Sequence, residues 1–221
     1  ESIPEGKRLK AIAAATSHMH GLTRTFPRAM LLIFFSLFTG GQIRRHSRKI
    51  ILLCEKVARR QGCDIILKTL QSTSPRCRSL AVSNLLKLCD EVPEERSQED
   101  VLSALRMIPE SKKAHSIPYI TSLFKGLYGK ASKDLLSKTI LKINRCHRFD
   151  ILKLLSPYIC DTKSTFYRIA LLSTLKIFPP EQQHEAMPHI ALLYKDLLTL
   201  DAKAGRFNQK DLTPKDRKST R

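Results

Sequence analysis

The chain has no tryptophan and only eight glycines in 221 residues. Sheet proteins spend glycine on tight turns and need strands of alternating, β-branched residues. Both are scarce here, so the composition favours helices. Metal-binding and redox cysteine patterns are also missing. The six cysteines, at 54, 63, 77, 89, 146 and 160, form no C-x-x-C pair, and no four donors combine with histidines at zinc-ligand spacing. Cys54, Cys77, Cys89 and Cys160 lie among apolar residues, as reduced buried thiols do, which fits the nucleus or cytosol.

The sequence contains no P-loop, no G-x-G-x-x-G, no H-E-x-x-H and no G-x-S-x-G. Cys146 and His147 are adjacent, but a catalytic pair must meet in space, and neighbours on a helix point apart. His184 and His189 have Glu181 and Glu185 nearby, yet Pro188 is expected to divide them between different elements. Asp90, Glu91, Glu94 and Glu95 crowd together outside any apolar pocket and read as a solvated loop. No residue set supports catalysis. The expectation is a non-enzyme without metal, cofactor or small-molecule substrate.

Long apolar runs are missing too. The longest, Ala29 to Phe38, stops at Thr39-Gly40-Gly41, about half the roughly 20 residues a membrane span needs. It lacks a convincing signal-peptide cleavage site as well. We read it as an apolar helix that packs on the helices after it, inside an N-terminal extension over 1–42. The sequence opens on Glu1 rather than Met, so a fragment is expected.

From Arg44 onward, apolar residues recur at helical spacing. Ile50, Ile51, Cys54, Val57 and Ala58 form one stripe; Leu80, Leu85, Leu88 and Cys89 form another. Ser74 with Pro75, Asp64, Ser97-x-x-Asp100, Asp150, and Asp161 or Ser164 stand where helix starts are expected. Short apolar helices break at Gly129, and Pro179-Pro180 is a stop. The segments beginning at Asp64 and Asp150 share one plan and lie 86 residues apart, which suggests two repeats of about 43. Single amphipathic helices cannot bury their own faces, but stacked neighbours can. The expected fold is all-α: a HEAT/armadillo-like helical-repeat solenoid of antiparallel helix pairs over 43–200, followed by a basic flexible tail over 201–221. An irregular helical bundle is the alternative. Leu85, Leu88, Leu154, Leu171, Leu175 and Leu192 are expected in the core.

Three stretches in order, "LCEKVARRQG", "LLKLCDEVPEERSQEDVLSALRM" and "STFYRIALLSTL" with the later "PHIALLYKDLL", resemble the N-terminal helical-repeat region of the centromere protein I family. The likeness covers about residues 50 to 200; Tyr167 interrupts one motif, and 108–147 aligns poorly. The resemblance implies an inner-kinetochore subunit that binds other centromere proteins, without catalytic activity, on chromosomes in the nucleus.

Charge of one sign dominates: 39 Lys and Arg against 20 Asp and Glu, a net +19. Arg44, Arg45, Arg48 and Lys49 open one helix, and Arg59 and Arg60 close it. Lys138, Lys142, Arg145 and Arg148 form a second band, Lys112 and Lys113 precede a further helix, and seven basic residues lie beyond Leu200. Evenly spread cations would be a solvated face. Clustered on a solenoid, they could track a phosphate backbone by releasing counterions. Two function classes remain: a scaffold that holds protein subunits, and a basic nucleic-acid-binding module reading duplex shape and charge through the ten residues of those two bands, a surface that could equally dock an acidic protein partner.

Overall fold

A helix buries residues three and four apart along one stripe, and the amphipathic stretches fold accordingly. The computed structural model describes residues 28–58, 63–127, 130–161 and 164–203. They form ten α-helices: α1 (Arg28–Ser36), α2 (Gly40–Ala58), α3 (Cys63–Gln71), α4 (Arg78–Glu91), α5 (Glu95–Leu105), α6 (Glu110–Gly126), α7 (Lys130–Lys142), α8 (Arg148–Asp161), α9 (Thr165–Ile177) and α10 (Gln183–Lys203). A 3-10 turn, Pro75–Cys77, leads into α4. The described residues contain no strand.

Each helix packs on its next-but-one neighbour. α2, α4, α6, α8 and α10 make one row, and α3, α5, α7 and α9 a second. The rows meet along one apolar seam, which includes Leu53, Leu85, Leu88, Ile120, Leu123, Ile151 and Leu175. α1 packs on α2, and its Leu31, Phe34 and Phe35 join the same core, as the apolar run led us to expect. Residue 42, where the N-terminal extension was expected to end, lies inside α2. No helix among the described residues is long and apolar enough to cross a membrane.

Packing is tight at Gly126. A Cβ there would sit 3.0 Å from Ile159 Cγ2 and 3.4 Å from its carbonyl oxygen, so a side chain at the end of α6 would require Ile159 of α8 to give by a few tenths of an ångström.

Several expectations need correction. Asp64 stands at the start of α3 in the second row and Asp150 at the start of α8 in the first, so the two segments are not equivalent and 43 is not the interval. The interval that recurs is 35 residues, carried by Arg78, Lys113, Arg148 and Gln183, each at or near the start of a first-row helix. The similarity between the Asp64 and Asp150 segments came from the common chemistry of helix starts. Ser97 lies inside α5, because the helix begins two residues earlier, and its Oγ contacts Glu94 Oε2 at 3.0 Å instead of capping. Ser74 and Ser164 occupy N-cap positions but make no side-chain capping bond. Lys112 and Lys113 lie within α6 rather than ahead of it. Leu192 is 54% exposed and Leu80 faces solvent, whereas Leu85, Leu88, Leu171 and Leu175 are buried and Leu154 is half-buried. α10 has no further helix on its outer side among the described residues, so a leucine stripe alone could not tell core from open face. Cys54 and Cys89 are buried, Cys77 is half-buried, and Cys146 and Cys160 are exposed. Gly129, Ala58's side chain and residues 204–221 lie outside what the structure describes.

Candidate partner and nucleic-acid interface

Contacts between successive first-row helices set their register and define two edges. At the start edge, Gln42 Nε2 donates to the Pro75 carbonyl (2.7 Å), and the Ser74 amide donates to the Glu110 carbonyl (3.3 Å). Lys112 Nζ stands 5.2 Å over the Phe149 ring, and the His147 and His184 rings lie 4.5 Å apart. These contacts gather the N-terminal ends of α2, α4, α6, α8 and α10. At the finish edge, Lys56 pairs with Asp90, and Lys125 with Glu91 at 3.2 Å. Lys133 joins the same end by donating to Ser97 Oγ (3.1 Å) and approaching Asp100.

Alternating helices thus sort the charges. Arg44, Arg45 and Arg48 lie exposed on the first turns of α2, and Arg76, Arg106, Lys142 and Arg145 lie exposed in or beside the later turns along the start edge. Asp90 and Glu91, expected in a loop, end α4, and with Glu94 just before α5 they fall at the finish edge. Among the described residues the three ion pairs all lie toward the finish edge, and none uses an arginine of the start edge. The start edge is not free of acid: Glu110, Asp150, Glu181 and Glu185 stand in or just before helix first turns, where the helix dipole favours them.

The structure divides the expected contact residues. Arg44, Arg45, Arg48, Lys138, Lys142 and Arg145 are exposed and share the start-edge half of the molecule. Lys49 is also exposed, with its Nζ 3.1 Å from Ser83 Oγ. Arg59 and Arg60 lie outside the described residues. Arg148 is redirected. Its guanidinium donates to the carbonyls of Ile143 (3.0 Å), Leu141 (3.1 Å) and Met107, joining the ends of α7 and α5. Fewer of its donors remain for a partner, and it is a structural clamp.

Arg78 repeats this arrangement at identical offsets. It donates to Thr73, Gln71 and Leu37, which lie 5, 7 and 41 residues back, as Ile143, Leu141 and Met107 do from Arg148. Gln183 retains the five-residue bond, from its Nε2 to Phe178 O (3.0 Å). The orphan carbonyls at second-row helix ends need donors, and a planar fork supplies several at once. Lys113 occupies the remaining position and is buried. Burial pushes its ammonium below the usual lysine range; Arg145 and Arg106 push the same way, and Glu110 opposes them. Burial, then Arg145, likewise lowers Arg148. The cations of this edge therefore act on one another. Sequence reasoning missed Arg78 and Gln183 and read Lys113 only as a cluster cation; their 35-residue interval was the available signal.

A second convergence was also missed. α10 runs through Pro188, so His184 and His189 share one helix, contrary to the expected division, and the neighbour of His184 is His147. With Asp150 they form a group of three potential metal ligands.

Apolar surface is concentrated at the last described helices. Leu192, Leu193, Leu197 and Leu200 of α10 are exposed, as are Phe166, Ile169 and Ile177 of α9. Compared with protein-family models, curated proteins and solved structures, the chain matches none.

Proposed function

We propose that the chain is a non-enzymatic scaffold: a HEAT/armadillo-like helical-repeat solenoid, built on a unit of 35 residues, that holds other protein subunits. Its interval is shorter than the roughly 40 to 47 residues usual for that class, while the stacking principle is the same. The observation that carries the reading is the apolar face of α10, where four exposed leucines have no covering helix among the described residues. Large contiguous apolar surface marks interaction sites. The resemblance to the centromere protein I family makes an inner-kinetochore assembly in the nucleus the setting we propose.

The test compares the chain with a Leu193→Asp/Leu197→Asp variant in affinity purification from nuclear extract. Protein partners that withstand high salt on the parent and vanish from the variant support the scaffold. Identical retention by both refutes α10 as the interface.

A second reading rests on the start edge. Its exposed arginines lack carboxylate partners among the described residues, and Arg145 adds to the burial that lowers Lys113 and Arg148, a field that a phosphate backbone would relieve. Duplex DNA is the proposed ligand of that edge. Steep loss of binding with added salt would support it, and salt-insensitive binding would count against it.

A further inference from the structure

His147, Asp150 and His184 each offer a ligand atom, and the three atoms lie within 4.8 Å of one another. The fold builds this convergence from two separate helix starts. His147 is the residue before α8; its carbonyl accepts the Ile151 amide (3.0 Å) and its own amide donates to Asn144 O (2.9 Å). Asp150 comes three positions later, on the same side of the first turn. His184 lies in the first turn of α10, just after Gln183, which is buried and bonded to Phe178 O. The Gln182 and Gln183 amides both donate to Pro179 O, at 3.0 and 3.2 Å. Both backbones are therefore held before any ligand arrives.

We propose that this group is a binding site for a first-row divalent metal ion, with zinc as the best match. Two imidazole nitrogens and one carboxylate oxygen suit zinc; calcium and magnesium prefer sets made of oxygen alone. Zinc–ligand bonds of about 2.0 to 2.1 Å place tetrahedral donors about 3.3 Å apart. The three atoms need to close by about 1.5 Å at most, which side-chain rotation can supply. One coordination position stays open for water or for a donor from another molecule.

The local charge permits it. Arg148 is turned toward the carbonyls of Ile143, Leu141 and Met107. Exposed Glu181 and Glu185 flank His184 and offset Arg145. The two helix N-termini oppose a cation, which makes Asp150 the ligand that supplies the compensating charge. The bound ion would tie α8 to α10 across 37 residues of sequence.

The experiment is calorimetric titration of the full, chelator-treated and reduced chain with zinc chloride. One ion per chain is expected to bind with a micromolar or tighter dissociation constant. His147→Gln and His184→Gln should each weaken it at least tenfold, and Asp150→Asn several-fold. Cys146→Ser should leave it unchanged. Cobalt(II) should give ligand-field bands without a thiolate charge-transfer band. Circular dichroism checks that each variant keeps its helices; if a histidine variant unfolds, the exposed Asp150→Asn decides. Absence of binding, equal binding by parent and ligand variants, or a thiolate band would overturn the site.

Discussion

The start edge and the finish edge are built from the same helices but held in opposite ways. At the finish edge, lysines pair with carboxylates: Lys125 with Glu91, each side chain nearly half accessible, and the less exposed Lys56 and Lys133 with Asp90 and Asp100. At the start edge, half-buried guanidiniums bond directly to main-chain carbonyls, and the exposed arginines have no ion pair among the described residues. Solvent-screened pairs contribute little to stability, because water competes for both partners. Charge-assisted bonds to otherwise unpaired helix-end carbonyls contribute more, since breaking them strands the acceptors. The difference assigns stability to one set of start-edge cations and leaves the other set available to an anionic partner.

The largest effect concerns the core behind that edge. Leu175 is buried near the end of α9, and Leu175→Ala should destabilise by about 2 to 5 kcal/mol. The exposed Leu192→Ala should stay within about 0.5 kcal/mol. Equal losses in chemical denaturation would erase the distinction between packed and open faces.

Next come the clamps. Arg148→Ala and Arg78→Ala should each cost about 1.5 to 3 kcal/mol, the range for hydrogen bonds to charged groups. Lysine at either position should restore only part of this, having no fork. Lys125→Ala at the finish edge should cost about 0 to 1 kcal/mol. A Lys125 loss as large as that of Arg148 would break the comparison between the edges.

For DNA, replacing Arg44, Arg45 and Arg48 with glutamine should lower the slope of log affinity against log salt by about one unit per lost phosphate contact. The same treatment of Arg96 and Lys125 at the finish edge should leave the slope unchanged. If both sets act alike, the charge is diffuse and the edges do not differ in binding.

The smallest effect is Lys113. Its pKa in the folded chain lies below the ordinary 10.5, mainly through burial. Below the folded pKa the ammonium is charged in both states, and the folded state bears the desolvation cost. Between the folded pKa and 10.5 the unfolded chain holds more protons, so this group's contribution to stability rises with pH. Lys113→Met should therefore be the more stable form at pH 7, and its advantage should fade as the pH approaches 10.5. A less stable methionine variant would mean that the ammonium, like Arg148, serves the edge by hydrogen bonding.

Sequence alone determined what depends on neighbours along the chain. The stripe of Ile50, Ile51, Cys54 and Val57, the buried Phe34 and Phe35, and the stop at Pro179 are consequences of helical periodicity and proline sterics. Clustering of Arg44, Arg45 and Arg48 was legible for the same reason. Tertiary structure decided which stripe is covered, and so moved Leu192 from expected core to surface. It set Arg148 on the carbonyl of Met107, 41 residues away, and separated that arginine from the exposed members of its band. It also brought His147 to His184 rather than leaving His184 with His189. Burial and hydrogen bonding between helices depend on which surfaces meet, and periodicity within one helix carries no record of its neighbour.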